Sequence, residues 1–240
     1  MKTALKISFT FAGLLIFLIR CGGTPIPKNP IVELVKDQPN GQVYTVTLTD
    51  MDIQGNQYQH KYKIFENAGG KVNIRTTDLI NVSDDFFHLH ENDLGMEVRS
   101  RNKDGKINNL ITPPGFTNFI GNPEMGTWQD RYVDTINVTS YTDSTFWVFN
   151  DEYRYLENEL GLEGLNITRK EHENFQSLYL YNRPYYGEKT APDSTKYGTR
   201  SRHWIHIYPG FYSRRRYKRN FYKSTPYSSS RSRGGGGFGK

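Results

Sequence analysis

Thirteen residues without a charge, 7–19 (ISFTFAGLLIFLI), lie between Lys6 and Arg20 and are followed at once by Cys21, the single cysteine of the chain. As an α-helix this run spans about 20 Å at about 1.5 Å per residue. That falls short of the roughly 30 Å of hydrocarbon that a transmembrane helix has to cross. With Lys2 and Lys6 ahead of it, the run has the charged and apolar regions of an export signal. Residues 1–20 are then a signal peptide outside the fold, and everything after them must supply its own core.

Residues 18–21, LIRC, resemble the lipobox of bacterial lipoproteins, in which an aliphatic residue sits three places before a cysteine that is lipidated and becomes the mature N-terminus. Arg20 stands where the family prefers Gly, Ala or Ser, and Gly22 and Gly23 follow in keeping with its pattern. The resemblance implies a lipoprotein of the cell envelope, with Cys21 carrying fatty acid such as palmitate and anchoring the chain to a membrane. Each buried methylene of such a chain contributes about 0.8 kcal/mol. A lone cysteine allows no intramolecular disulfide and no cysteine-cluster metal site. Residues 21–30 (CGGTPIPKNP) have no periodicity and read as a Pro/Gly tether.

Charge divides what remains. Twelve of the 31 Lys and Arg follow Asp193 and none of the 25 Asp and Glu does, so residues 1–193 carry a net −6 and the rest +12. The division predicts an acidic globular domain over 31–195, of ordinary single-domain size, and a basic aromatic tail over 196–240. With 17 Tyr and 14 Phe in the chain, aromatic rings must carry much of the core, and their hydroxyls need partners.

Within the domain, residues 42–49 (QVYTVTLT) alternate Val43, Thr45, Thr47 against Tyr44, Val46, Leu48, a β-branched strand. Gln54-Gly55-Asn56 turns the chain into a second strand with Tyr58, His60, Tyr62 and Ile64 on one face. Residues 72–82 read as a third strand, 86–100 stay ambiguous, and the 102–106 turn (NKDGK) pairs the Met96–Val98 segment with Ile107. Three prolines and three glycines over 112–128 (TPPGFTNFIGNPEMGTW) forbid a regular helix or central strand and predict an ordered loop. Its Pro113-Pro114-Gly115, Gly121-Asn122 and Trp128 resemble segments of bacterial envelope proteins. Asn150 or Asp151 caps a helix carrying Tyr153, Leu156 and Leu160 that ends at Gly161. Thr168 and Glu171 form a capping box for a second helix with His172, Phe175, Leu178 and Tyr179 on one side, stopped by Arg183-Pro184. Strands first and helices later predict α+β with an antiparallel sheet.

Candidates for chemistry are few. On a strand, His88 and His90 would share a face, with Asp84, Asp85 and Glu91 near enough to complete a metal shell. His203 and His206 flank Trp204 at helical spacing, and Asp151, Glu152, Glu157 and Glu159 offer carboxylate pairs that also suit a solvated helix face. The chain has no nucleophile elbow, phosphate loop, HExxH or dinucleotide fingerprint, and no cofactor follows from it.

The end of the chain is its most distinctive part. From Lys196 on, basic residues interleave with aromatics, densest at Arg214, Arg215, Arg216, Lys218 and Arg219, and residues 224–240 are low-complexity and too poor in aliphatics to bury. Arg pairs bidentately with phosphate, and Tyr and Phe rings pack at interfaces. Behind an export signal the matching polyanions are lipid head groups, phosphorylated glycolipid or acidic wall polymer; without export, nucleic acid takes their place. Two functions stand: a non-catalytic envelope lipoprotein of binding or structural type with an anion-engaging tail, and an envelope hydrolase or metal-dependent enzyme built on His88 and His90.

Overall fold

In the computed structural model, which describes residues 29–131, 144–217 and 221, the alternating β-branched segment becomes β1 (Val43–Gln54) and its partner becomes β2 (Gln57–Ala68). They pair antiparallel from Val43↔Asn67 to Gln54↔Gln57. Gly55 makes the turn at φ +60, a conformation that costs a side-chain-free residue nothing. The single strand expected over 72–82 is two: β3 (Lys71–Thr76) and β4 (Ile80–Val82). Both pair with β2, and between them the Thr77 hydroxyl accepts from the Tyr62 amide at 3.0 Å and interrupts the ladder.

The ambiguous 86–100 stretch resolves into helix α2 (Asp84–Leu89), capped by Ser83, and strand β5 (Glu97–Arg101). The expected hairpin to β6 (Ile107–Asn108) forms through Arg101↔Ile107. Together these strands make one antiparallel sheet in the order β3-β2-β1-β5-β6, with β4 beside β2. A second hairpin, β7 (Gly126–Arg131) with β8 (Ser144–Phe149), begins inside the segment expected to be loop. Before it, the loop is ordered and held by its own side chains, Phe116, Phe119, Ile120 and Met125, all buried.

The sheet is covered on both faces. Tyr44, Val46, Leu48, Tyr62, Ile64 and Val98 meet helix α1 (Pro30–Leu34), α2 and Phe211 in one core. Phe65, Val72 and Met96 face the other, built from the 113–125 loop, the β7–β8 hairpin and the helices that follow. Double coverage explains why Thr45 and Thr47, polar in the alternation, are buried as well.

The first predicted helix is a 3₁₀ turn (Asp151–Tyr153) running into short α3 (Tyr155–Glu159); Asn150 makes no side-chain cap bond, and the chain reverses at Gly161 with φ +71. The second is α4 (Arg169–Leu180), where Thr168 Oγ1 accepts from Glu171 N at 3.1 Å. Only half of the capping box forms, because the Glu171 carboxylate is taken by Lys196 Nζ at 2.5 Å. The α+β class stands.

The boundary placed at 195 does not match the packing. After the small β9–β10 ribbon (Lys189–Ala191, Ser194–Thr195) come α5 (Arg202–Ile207) and α6 (Pro209–Tyr217). Tyr197 and Trp204 are 0% exposed, and Phe211 and Phe221 are 2%. Trp204 belongs to one core and Phe211 to the other, with Tyr208 packed against both. Residues 196–217 are therefore part of the fold. Their poverty in aliphatics concealed this, since three or four large rings bury as much apolar surface as a longer aliphatic helix face. The expected signal peptide, Cys21 and the tether as far as residue 28, Lys218, Arg219 and residues 222–240 lie outside the described residues; the last two tether residues, Asn29 and Pro30, are the N-cap and first residue of α1. Among the described residues no helix is long and apolar enough to cross a membrane.

Candidate functional site

α5 and α6 form the basic surface. Their undersides are fixed by Trp204 and Phe211, whereas Arg200, Arg202, Ile205, His206 and Arg216 are exposed. His203 is turned inward, its Nε2 bonding to the Gly161 carbonyl at 2.7 Å, so the His203/His206 pair does not converge on a common point. Three arginines in the last turn of α6 stand where the helix dipole favours cations.

Sequence placed Arg214, Arg215 and Arg216 together as anion-binding residues, and the fold separates their roles. Arg214 reaches the body, where Nη2 meets Asp50 Oδ1 and Nε lies 3.5 Å from Asp52 Oδ1. Arg215 lies over the Tyr212 ring, 5.8 Å from its centroid. Arg216 faces solvent. Asp50 and Asp52 went unnoticed in the sequence, although two aspartates in a strand run counter to β propensity and so mark a position needing another reason. Each is oriented by an adjacent amide: Met51 N donates to Asp50 Oδ1 and Ile53 N to Asp52 Oδ1, both at 2.9 Å. Burial, and then the Asp50 charge, push the Tyr208 hydroxyl beside them above its ordinary range.

The histidine candidates fall apart as a metal shell. His88 and His90 are not on a strand; they end α2, where consecutive even positions point in different directions. His88 Nδ1 pairs with Asp84 Oδ1 at 2.6 Å, one turn back. His90 Nδ1 pairs with Asp93 Oδ2 at 2.8 Å, and Tyr186 donates to the other oxygen of Asp93 at 2.6 Å. Among the described residues no three His, Cys, Asp or Glu side chains gather to hold a metal ion. The acids of the α3 region are likewise engaged or dispersed, Asp151 with Arg154 and Glu159 with Lys63.

Two buried ionisable groups escaped the sequence. His60 is 0% exposed, shares a 2.8 Å hydrogen bond with Tyr62 Oη, and has Nε2 buried with no partner. Phe86, Phe87 and His90 surround its ring. Desolvation, and then His90, hold its pKa well below the usual histidine range. On the opposite face Glu97, 1% exposed, accepts from Gly115 N at 2.7 Å, Thr112 Oγ1 at 3.0 Å and Thr117 Oγ1 at 2.5 Å, and so ties the 112–117 segment to β5. Desolvation outweighs these donors and pushes its carboxyl up to about 7. Nothing in the local pattern singles out Glu97; the signal lies in three donors 15 to 20 residues away.

No protein-family model, curated protein or solved structure matches the chain.

Proposed function

We propose that this protein is a non-catalytic, membrane-anchored lipoprotein of the cell envelope, held by an acyl chain on Cys21, whose α5–α6 surface engages anionic groups such as lipid phosphates. The observation that supports the reading is a charge arrangement carried by the fold: no acidic residue follows Asp193, and Arg202 and Arg216 stand exposed on helices whose other sides are buried in two cores, with Arg200 exposed in the turn just before α5. A rigid display loses less conformational entropy on contact than a free tail would. Each Lys or Arg near an anionic surface contributes up to about 1 kcal/mol, within a Debye length of about 8 Å at physiological salt.

Two experiments test it. Cys21→Ser should release the protein from membranes and abolish fatty-acid labelling; an unlabelled wild type that stays membrane-bound removes the lipoprotein part. In a Cys21→Ser background, the chain should prefer vesicles of phosphatidylcholine mixed with phosphatidylglycerol over pure phosphatidylcholine, and salt should weaken that preference. Replacing Arg200, Arg202, Arg215 and Arg216 by Gln should remove most of it. Equal binding to both vesicles, insensitive to salt, contradicts the anionic-surface part.

A further inference from the structure

α6 is held on the sheet by the same two kinds of group that an anionic bilayer recruits. One is ionic: Arg214 sits on Asp50 and Asp52, whose carboxylates are already oriented by the amides of Met51 and Ile53. The other is aromatic: Phe211 is buried in the core that it shares with Tyr44, Val46 and Leu48 of β1, and its ring also lies 5.1 Å from that of Phe221, which in turn meets Phe87 of α2 at 5.2 Å between centroids. Lipid phosphate takes guanidinium as a carboxylate does, and aromatic rings are at home in the headgroup zone. At nine residues, α6 is also too short to persist without a surface to lie on. Sheet and bilayer therefore offer this helix equivalent contacts.

We infer that α6 is a releasable clasp, for which the Asp50–Asp52 carboxylate pair and an anionic lipid surface compete through Arg214. This rests on the basic-surface reading above and adds its regulation: the protein carries an internal competitor that lowers its apparent affinity for lipid by the fraction of molecules with α6 docked. Arg214 then contributes to both sides of the competition, while Arg216, exposed in the folded state, contributes to the lipid side alone. The two arginines, two positions apart in sequence, are predicted to behave differently when removed.

The test is vesicle binding by the full chain in the Cys21→Ser background, so that any contribution of the leader is common to every arm. The vesicles are phosphatidylcholine mixed with phosphatidylglycerol. Asp50→Asn with Asp52→Asn is compared with the charge-matched pair Asp78→Asn with Glu163→Gln, two exposed acids. The clasp predicts binding roughly fivefold tighter for the first pair than for the second, the worth of one released arginine. Arg216→Gln should weaken binding by up to roughly fivefold, and Arg214→Gln should leave it nearly unchanged because its loss cancels. Equal binding by the two double variants, or equal weakening by the two arginine variants, overturns the clasp. Should Asp50→Asn with Asp52→Asn fail to fold, the arginine comparison decides alone. A wild type that does not distinguish anionic from neutral vesicles removes the basic surface itself, and the clasp with it.

Discussion

The β1–β2 hairpin and the α5–α6 segment both end in buried large side chains, Tyr44, Leu48, Tyr62 and Ile64 in the first and Trp204 and Phe211 in the second, and they meet with opposite charge at Asp50, Asp52 and Arg214. They differ in how much of their structure they make for themselves. The hairpin closes an antiparallel ladder from Val43 to Asn67 across one tight turn. The helices, six and nine residues long, fall below the roughly 12–15 residues at which isolated helices become even marginal in water. α5 and α6 exist because rings at 197, 204, 208 and 211 find cavities on the body. α5, with little intrinsic helix stability, can thus be as firmly placed as a strand through Trp204, while α6 beside it is held by Phe211 and by Arg214 on Asp50 and Asp52.

If that equivalence is right, removing the anchor of either region should cost similar amounts. Trp204→Ala is expected to destabilise by about 3–5 kcal/mol and Leu48→Ala by about 2–5 kcal/mol, both fully buried truncations, read from urea unfolding. A Trp204 loss below about 1 kcal/mol would separate the regions and return residues 196–217 to the status of a tail.

The next largest effect divides the two faces of the sheet by pH. His60 has its folded pKa below its unfolded value near 6.5. The unfolded chain therefore binds the extra proton, and the stability contributed is lost as pH falls below about 6.5, by up to about 1.4 kcal/mol per pH unit. Glu97, raised from 4.5 to about 7, has the opposite sign: the folded chain holds the proton, so stability is lost as pH rises from about 4.5 to 7. Wild type should show a flattened profile in that window. Glu97→Gln should steepen the acid loss, and His60→Phe should reveal the loss on the alkaline side, in midpoints measured from pH 4 to 8. Parallel profiles for wild type and both variants would contradict the assignment.

Smaller effects sharpen the contact between hairpin and helix. Arg214→Gln is expected to lower stability by about 1 kcal/mol, since the ion pair is partly solvated yet leaves a buried Asp52 short of a cation. Arg216→Gln should stay within about 0.5 kcal/mol of wild type, as an exposed substitution. Equal losses at the two positions would mean that the Asp50–Asp52 contact does not hold α6.

Much of the hairpin was legible because period-two alternation and a Gly-centred turn are local signals, and the same holds for Thr168 as a helix cap and Gly161 as a helix stop. The 72–82 strand was read as one because the Thr77 bond to Tyr62 that breaks it comes from 15 residues away. His88 and His90 were read on the wrong element because Ser83 capping a six-residue helix leaves no periodic trace. The charge of the candidate surface was plain in the sequence. Its attachment was not, because Trp204 and Phe211 sit in a run whose polar and basic residues outnumber its aliphatics, and which ring turns inward depends on a body that local pattern does not describe.

Residues 196–217 belong to the folded body and carry its basic surface. Native-state amide hydrogen exchange on the full chain tests this most directly, at amides such as Tyr208 N bonded to Trp204 O at 2.8 Å and Thr199 N bonded to Asn92 O at 2.9 Å. These amides beside and at the end of α5 are expected to exchange slowly, with opening free energies approaching those of the β1–β2 ladder and above that of the releasable α6. Exchange at the rate of an unstructured peptide across 196–217, beside a protected β1–β2 hairpin, would contradict it.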